Sequence, residues 1–291
     1  RRRRLRRLPE SKGNVLSDES SDTDAIAVVH RVEWTDGATH EAEDRVVREE
    51  PLEIRIGGVP VAVVMRTPGH DAELVRGFLT TERVVDDPSW VASVRHCTTA
   101  EHPDAENNVM QVVLRQGHTV DLARLRRNLY ASSSCGVCGK ASIDRVMETA
   151  PALVDHTRVP VTALYGIPEN LRAQQAVFSA TGGLHAAGLF DTAGTALVVR
   201  EDVGRHNAVD KVVGWAHANR PVLTETVLAV SGRVSFEIVQ KALAARIPIV
   251  AAVSAPSSLA IELARRADLT LAAFVRGRRL CVYAGPQRVI P

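Results

Sequence analysis

Apolar and polar residues alternate most clearly between residues 53 and 65, where Ile54 and Ile56 precede a Gly57-Gly58 pair and Val59, Val61 and Val63 follow it. That period of two around a glycine turn predicts a β-hairpin. Residues 25–34 and 45–48 read as further strands, and Thr67-Pro68-Gly69-His70 interrupts the pattern. Beyond the break the period lengthens: Asp71 stands where a helix cap belongs, and Leu74, Val75, Phe78 and Leu79 share one helical face. With another strand at residues 109–114, the chain from 25 to 125 predicts a small α+β domain.

From residue 126 onward strand and helix alternate, which predicts an α/β domain built on a mixed, largely parallel sheet and running to residue 291. Strands are expected at residues 195–200, 226–230, 247–253, 269–274 and 280–283. Between them Val209, Val212, Val213 and Ala216 mark one amphipathic helix, and Ile238, Val239, Ala242 and Leu243 mark another. A third is expected over residues 257–267. The short Gly277-containing connection between the last two strands fits an antiparallel edge, and no internal repeat is visible.

Composition adjusts this picture at three points. Apolar residues make up 45% of the 291 positions but aromatic ones only 4%, so the core must be built from Ala, Val, Leu and Ile. The formal charge of +2 belongs to residues 1–24, which hold seven basic and five acidic groups. The rest of the chain is balanced, which argues against nucleic acid or an anionic membrane as partner and leaves anions to local arginine clusters. Residues 1–24, with six arginines among the first seven positions, are too polar to order themselves and are expected to be a disordered basic leader. No apolar stretch of secretory type follows the arginines, no run is long enough to span a bilayer, and the first residue is not Met. A cytoplasmic protein is expected, in a sequence whose first residue is not its natural start. Four cysteines, two of them three positions apart, fit a reactive or metal-binding pair in a reducing compartment better than a disulfide framework.

The pair lies in Ser132-Ser133-Ser134-Cys135-Gly136-Val137-Cys138-Gly139-Lys140, ahead of a predicted helix with Ile143, Val146 and Met147 on one face. A Ser/Gly loop gives the thiols reach, while the helix N-terminus and Lys140 favour thiolate over thiol. Three other chemistries use such spacing. A zinc site needs two further ligands, and Cys97 and Cys281 stand in separate elements, so no metal is expected. A thioredoxin-like pair opens a helix after the first strand of its fold, whereas this one is in mid-chain. A cytidine deaminase needs Pro-Cys-x-x-Cys and His-x-Glu; here Ser134 replaces the proline and no His-x-Glu occurs.

A second group of residues stands where strands give way to helices. Residues 195–200 lead into Glu201-Asp202-Val203-Gly204-Arg205-His206-Asn207, residues 226–230 into Ser231-Gly232-Arg233, and residues 247–253 into Ser254-Ala255-Pro256. In a parallel sheet these connections gather at one edge, where helix N-termini and small residues accommodate phosphate. Arg276, Arg278 and Arg279 add three guanidiniums for bidentate contacts. His185, behind Gly182-Gly183, is either a packed core histidine or a group that a ligand approaches closely. Neither a Walker A nor a Gly-x-Gly-x-x-Gly motif is present.

Five motifs in order resemble the FdhD family of formate dehydrogenase accessory sulfurtransferases: Cys135-Gly-Val-Cys138-Gly, Thr181-Gly-Gly-Leu-His185, Gly204-Arg-His-Asn-Ala-Val-Asp-Lys211, Ser231-Gly-Arg-Val-Ser-Phe-Glu237 and Ser254-Ala-Pro-Ser257. The resemblance extends from about residue 49 to the end, and the N-terminal arginines belong to none of its motifs. It implies a cytidine-deaminase-like α/β fold, a tendency to dimerise, and a sulfur carrier that takes persulfide sulfur from a cysteine desulfurase. The acceptor it implies is bis-molybdopterin guanine dinucleotide, destined for formate dehydrogenase, with Cys135 as carrier and Cys138 assisting. By the same resemblance the segment Phe274, Val275, Arg276, Gly277, Arg278, Arg279 contacts the cofactor. His185, Arg205, His206, Ser231, Gly232, Arg233 and Ser254 complete the expected pocket. The rivals are a molybdenum-cofactor-binding chaperone that moves no sulfur, and a thiol–disulfide oxidoreductase.

Overall fold

The structure, a computed structural model, describes residues 22–97, 107–120, 152–220 and 223–291. In chain order the elements are β1 (Ile26–Thr35), β2 (Ala38–Val47), β3 (Glu50–Ile56), β4 (Val59–Arg66), α1 (Asp71–Thr81), β5 (Val91–His96) and β6 (Val109–Leu114). There follow β7 (Val159–Pro160), α2 (Val161–Ala173), α3 (Ala176–Thr181), β8 (His185–Asp191), β9 (Ala196–Asp202), α4 (Arg205–Asn219), β10 (Thr226–Val230), α5 (Phe236–Ala244) and β11 (Ile249–Ala252). The chain closes with α6 (Ser258–Arg266), β12 (Thr270–Arg276), β13 (Arg279–Ala284) and β14 (Val289–Ile290). The expected domain boundary near residue 125, the Cys135–Cys138 loop and the basic leader up to residue 21 lie outside the described residues.

Six strands form the main sheet in the order β13-β12-β11-β10-β8-β9. The strands β10, β11 and β12 are parallel, with β8, β9 and β13 antiparallel to their neighbours. Every residue of β10 and β11 is buried, as strands covered on both faces must be. Their side chains alternate between two cores: Leu228, Val230, Val250 and Ala252 pack under α4, α5 and α6, while Val227, Ala229, Ile249 and Ala251 pack under Leu164, Ile167 and Leu171 of α2. This mixed sheet is the α/β architecture read from the sequence, including its antiparallel β13 edge. What the pattern did not predict is β8, whose Ala-Ala-Gly start carries too little alternation to mark a strand. Because β8 reverses direction between β9 and β10, β9 runs parallel to β10 without touching it. The C-terminal ends of β9, β10, β11 and β12 therefore meet at one edge, as expected, and the N-terminus of β8 joins them there.

The smaller sheet, β4-β3-β6-β5, covers α1 from the other side. Helix α1 in turn lies against α4 at contact distance between backbones. A β-carbon at Gly77 would stand 1.8 Å from the carbonyl oxygen of Asp210, and one at Gly214 1.8 Å from that of Glu73. Only glycine permits this crossing. Around it sit buried charges: Lys241 Nζ lies 2.8 Å from Asp210 and 2.7 Å from Glu82, and Thr81 Oγ1 donates to Asp210 at 2.7 Å. Burial works against the Lys241 ammonium, but the carboxylates of Asp210 and Glu82 hold it above the usual lysine range. The expected cap of α1 differs in detail. Asp71 is the first helical residue and directs its carboxylate to Arg66 at 2.9 and 3.0 Å, while His70 occupies the cap position at φ 59°. Pairing with a buried guanidinium outweighs capping for a carboxylate beside it.

His70 yields a pH prediction. Burial, then the positive charges of Arg200 and Lys211, pull its pKa from 6.5 to about 3. A histidine depressed in the folded state is protonated first in the unfolded chain, so it costs nothing above about pH 6.5 and withdraws stability as pH falls towards 3. Replacing His70 with Asn, which tolerates the left-handed backbone, should flatten the dependence of Tm on pH between those limits. An unchanged slope in thermal melts across that window would contradict the assignment.

Candidate functional site

Backbone hydrogen bonds extend the main sheet past its strand ends and fix the loops there. Ser231 N–H donates to Ala186 O at 3.0 Å and Ser231 Oγ accepts from Ala186 N–H at 2.9 Å, tying the end of β10 to the start of β8. Val253 N–H donates to Val230 O at 3.2 Å, and Phe274 N–H to Ser254 O at 3.3 Å. His185, Ser231, Gly232, Arg233, Ser254 and Phe274 are thereby set along one edge. Gly232 lies beneath the His185 ring, which a β-carbon there would meet at 3.4 Å. At this edge an open cavity of about 1190 Å³ runs between the strand ends and α2 and α3. Gly182, Gly183, His185, Ser231, Gly232, Arg233 and Ser254 line it on the sheet side.

The cavity mouth is cationic. Burial, then the nearby Arg205, His206 and Arg233, push the pKa of His185 down, against the opposing charge of Asp202. Asp202 is fully buried and holds the loop together: its carboxylate accepts from Thr67 N–H at 3.2 Å, Gly204 N–H at 2.8 Å and Asn207 Nδ2 at 3.0 Å, and pairs with Lys211 Nζ at 2.8 Å. This anchors the N-terminus of α4, where Arg205 and His206 stand. His206 Nε2 lies 3.3 Å from Glu237 and 3.4 Å from Ser235 Oγ, which donates to Glu237 at 2.9 Å. Burial raises the Glu237 carboxyl, but the hydrogen bonds from His206 and Ser235 bring it below its ordinary value, so it remains an anion. The Nε of Arg205 is buried without a hydrogen-bond partner among the described residues.

The strand ends thus bring together most of the expected residues. His185, the alternative core histidine, proves to face the cavity. Phe274 is exposed and sits at φ 52°, where a bulge in the β12–β13 pairing turns it outward. An aromatic residue in the left-handed region stores strain of the kind that clusters at binding sites. Arg276, Arg278 and Arg279 are exposed at the tip of the same hairpin, beyond the cavity lining. Val275, within the expected contact segment, is 1% exposed: the bulge after Ala273 turns its side chain into the core that α2 covers, on the face opposite Ala273. Cys135 and Cys138 lie outside the described residues. Among the described residues no group of three or more His, Cys, Asp or Glu side chains is placed to hold a metal ion.

One wall of the cavity was missed by the sequence reading. Pro168, Arg172, Gln175 and Phe178 of the α2–α3 segment line it, with the Arg172 guanidinium 4.8 Å above the Phe178 ring. Leu164, Ile167 and Leu171 at helical spacing were the available mark of α2, but Pro168 inside it disguises the helix. Ser235, Glu237 and Asp202 were likewise unassigned, since a carboxylate that orients a cation carries no motif of its own.

Comparison with known proteins gives this edge its context. The model of the FdhD/NarQ family matches residues 47–290. The chain is 49% identical over 260 residues to the sulfur carrier protein FdhD of Streptomyces avermitilis, covering 87% of this chain and 92% of that one. It is 50% identical over 249 residues to the sulfur carrier protein FdhD of Mycobacterium tuberculosis, covering 83% and 90%. The fold is similar, at a TM-score of 0.73 and 23% identity, to the crystal structure of a candidate formate dehydrogenase accessory protein from Desulfotalea psychrophila, over 91% of this chain and all of that one. With the family model matched over residues 47–290 and relatives half identical over more than four fifths of its length, the chain belongs to the FdhD/NarQ family.

Proposed function

We propose that the chain is a sulfur carrier of formate dehydrogenase maturation, working in the cytoplasm between a cysteine desulfurase and bis-molybdopterin guanine dinucleotide. The observation that carries this reading is the cationic cavity mouth at the strand ends, in a chain half identical to proteins named as sulfur carriers. A cavity of about 1190 Å³ is ample for one guanine dinucleotide arm of the substrate. Arg233 in the cavity lining is the donor a diphosphate would take, with Arg205 close enough to act electrostatically on His185, and Phe274 on the same sheet edge offers a face for a base.

In the first step the Cys135 thiolate attacks the outer sulfur of the desulfurase persulfide; a Cys135 persulfide forms and the desulfurase thiolate leaves. In the second, the Cys138 thiolate attacks the inner sulfur of Cys135, hydrosulfide departs towards the molybdenum centre, and a Cys135–Cys138 disulfide remains for a cellular dithiol to reduce. Fixing the substrate by its nucleotide arms makes delivery effectively intramolecular.

Guanosine diphosphate should then bind more tightly than adenosine diphosphate. A charge-assisted hydrogen bond is worth roughly 1.5–3 kcal/mol, so Arg233→Ala should weaken binding about tenfold or more. Arg276→Ala and Arg278→Ala should do the same if the hairpin tip folds over phosphate. Calorimetry showing no guanine preference and no effect of any of the three substitutions would remove the pocket from this account.

A further inference from the structure

Helix α3 begins without help from its own sequence, since Gln175 at the cap position makes no side-chain capping bond. The N–H groups of Val177 and Phe178 donate instead to the Glu201 carboxylate, one to each oxygen, at 3.0 and 2.8 Å. Only a carboxylate does this with one side chain: both its oxygens accept, whereas an amide would turn its NH2 towards one of the two N–H groups. Glu201 is itself fixed, because its main-chain carbonyl accepts from the buried Lys211 Nζ at 3.2 Å. Side chains alternate along a strand, so Glu201 leaves β9 on the face opposite Asp202. One strand end therefore clamps two helices, Asp202 the start of α4 and Glu201 the start of α3.

What the second clamp presents to the cavity is Gln175 and Phe178. Gln175 is 4% exposed, and its main-chain carbonyl already accepts from Ser179 N–H at 3.0 Å, Ser179 Oγ at 2.7 Å and Arg172 Nη1 at 3.4 Å. Its side-chain amide makes no hydrogen bond among the described residues. A nearly buried amide on a cavity wall, its donors and acceptor unspent, is costly until a ligand or water meets it. Arg172 covers the Phe178 ring at 4.8 Å and donates to Ser179 Oγ at 2.8 Å, so α2 holds the same segment at a second point. We propose that Glu201 is a positioning residue for the nucleotide: it fixes α3 so that the Gln175 amide meets a polar edge of the guanine arm, and does not touch the ligand itself. This rests on the reading that the cavity holds that arm.

Calorimetric titration of guanosine diphosphate into the full chain tests the coupling, with circular dichroism and thermal melts to confirm that each variant folds. Glu201→Gln keeps one accepting oxygen and should weaken binding about three- to tenfold, the worth of a hydrogen bond; Gln175→Leu should do the same. Because Glu201 acts through Gln175, the two losses are not additive, and the double variant should bind within about twofold of the weaker single one. Arg233 acts from the sheet side, so Glu201→Gln combined with Arg233→Ala should show the product of the two single losses. A general loosening of the cavity would couple Glu201 to both. Coupling is also reciprocal: in the wild type, bound nucleotide should slow hydrogen exchange at the Val177 and Phe178 amides, a measurement that stands even if Glu201→Gln does not fold. A wild type that binds no guanosine diphosphate would remove the nucleotide reading and the positioning role together. Four results with a wild type that does bind would overturn the positioning role alone: either single variant at wild-type affinity, additive losses at Glu201 and Gln175, equal coupling of Glu201 to Arg233, or exchange at both amides unchanged by nucleotide.

Discussion

Replacing Gly214 with Val is expected to be among the most damaging single changes in the α/β part of the molecule. The added β-carbon would stand 1.8 Å from the carbonyl oxygen of Glu73, a contact that no rotamer relieves because both atoms belong to fixed helical backbone. Helices α1 and α4 must separate, which opens the contact over the buried Asp210–Lys241 pair and loosens the N-terminus of α4, which carries Arg205 and His206. Overpacking typically costs about 1–3 kcal/mol, and a backbone collision belongs at the upper end or beyond. At roughly 2–4 °C per kcal/mol for larger domains, Tm should fall by about 6–12 °C. Gly166 supplies the control. It lies inside α2 with only the end of the Asn170 side chain within 4 Å of an added β-carbon, so Gly166→Ala should leave Tm unchanged or raise it slightly. Equal melting of wild type and Gly214→Val would contradict the close crossing.

The helix crossing also shows what the sequence could and could not convey. The apolar faces of α1 and α4 are plain in Leu74, Val75, Phe78 and Val209, Val212, Val213, and both helices were expected. Their partnership was not, because Gly77 and Gly214 look like helix-weakening residues until the opposing backbone is in view. Strand ends tell a similar story. The parallel strands β10, β11 and β12 announce themselves as apolar runs, while β8 hides in Ala186-Ala187-Gly188, where Phe190 and Leu171 fill the space a larger side chain would need. The β1–β2 hairpin carried an available mark, Asp36-Gly37, but β2 is so rich in charge that its middle did not register as strand.

For the site, glycine and arginine positions were more legible than the groups that hold them. Gly232, Arg233, Ser254 and Arg205 follow strand ends, and the convergence of strand ends is a topological consequence that sequence order alone implies. The cavity wall contributed by α2 and α3 depends on how the segment after residue 152 returns across the sheet, which no local pattern encodes. Asp202 and Glu237 act through neighbours: one gathers four donors, the other orients His206, and neither spacing nor composition separates them from surface acids.

The central claim is that Cys135 carries sulfur, and the largest functional effect follows from it. Serine in its place has neither the acidity nor the nucleophilicity of a thiol, so Cys135→Ser should lose persulfide loading and formate dehydrogenase activation together. Cys138→Ser should still load Cys135, because the second thiol assists release and not capture, while delivery slows. An oxidoreductase or a zinc site requires both cysteines alike. The decisive measurement is peptide mapping by mass spectrometry after incubation of each variant with a cysteine desulfurase and cysteine. The account predicts an addition of about 32 Da, one sulfur atom transferred by persulfide exchange, on the Cys135 peptide of the wild type and of Cys138→Ser, and none on Cys135→Ser. Equal loss of loading in both variants, or an addition found only on Cys138, would contradict it.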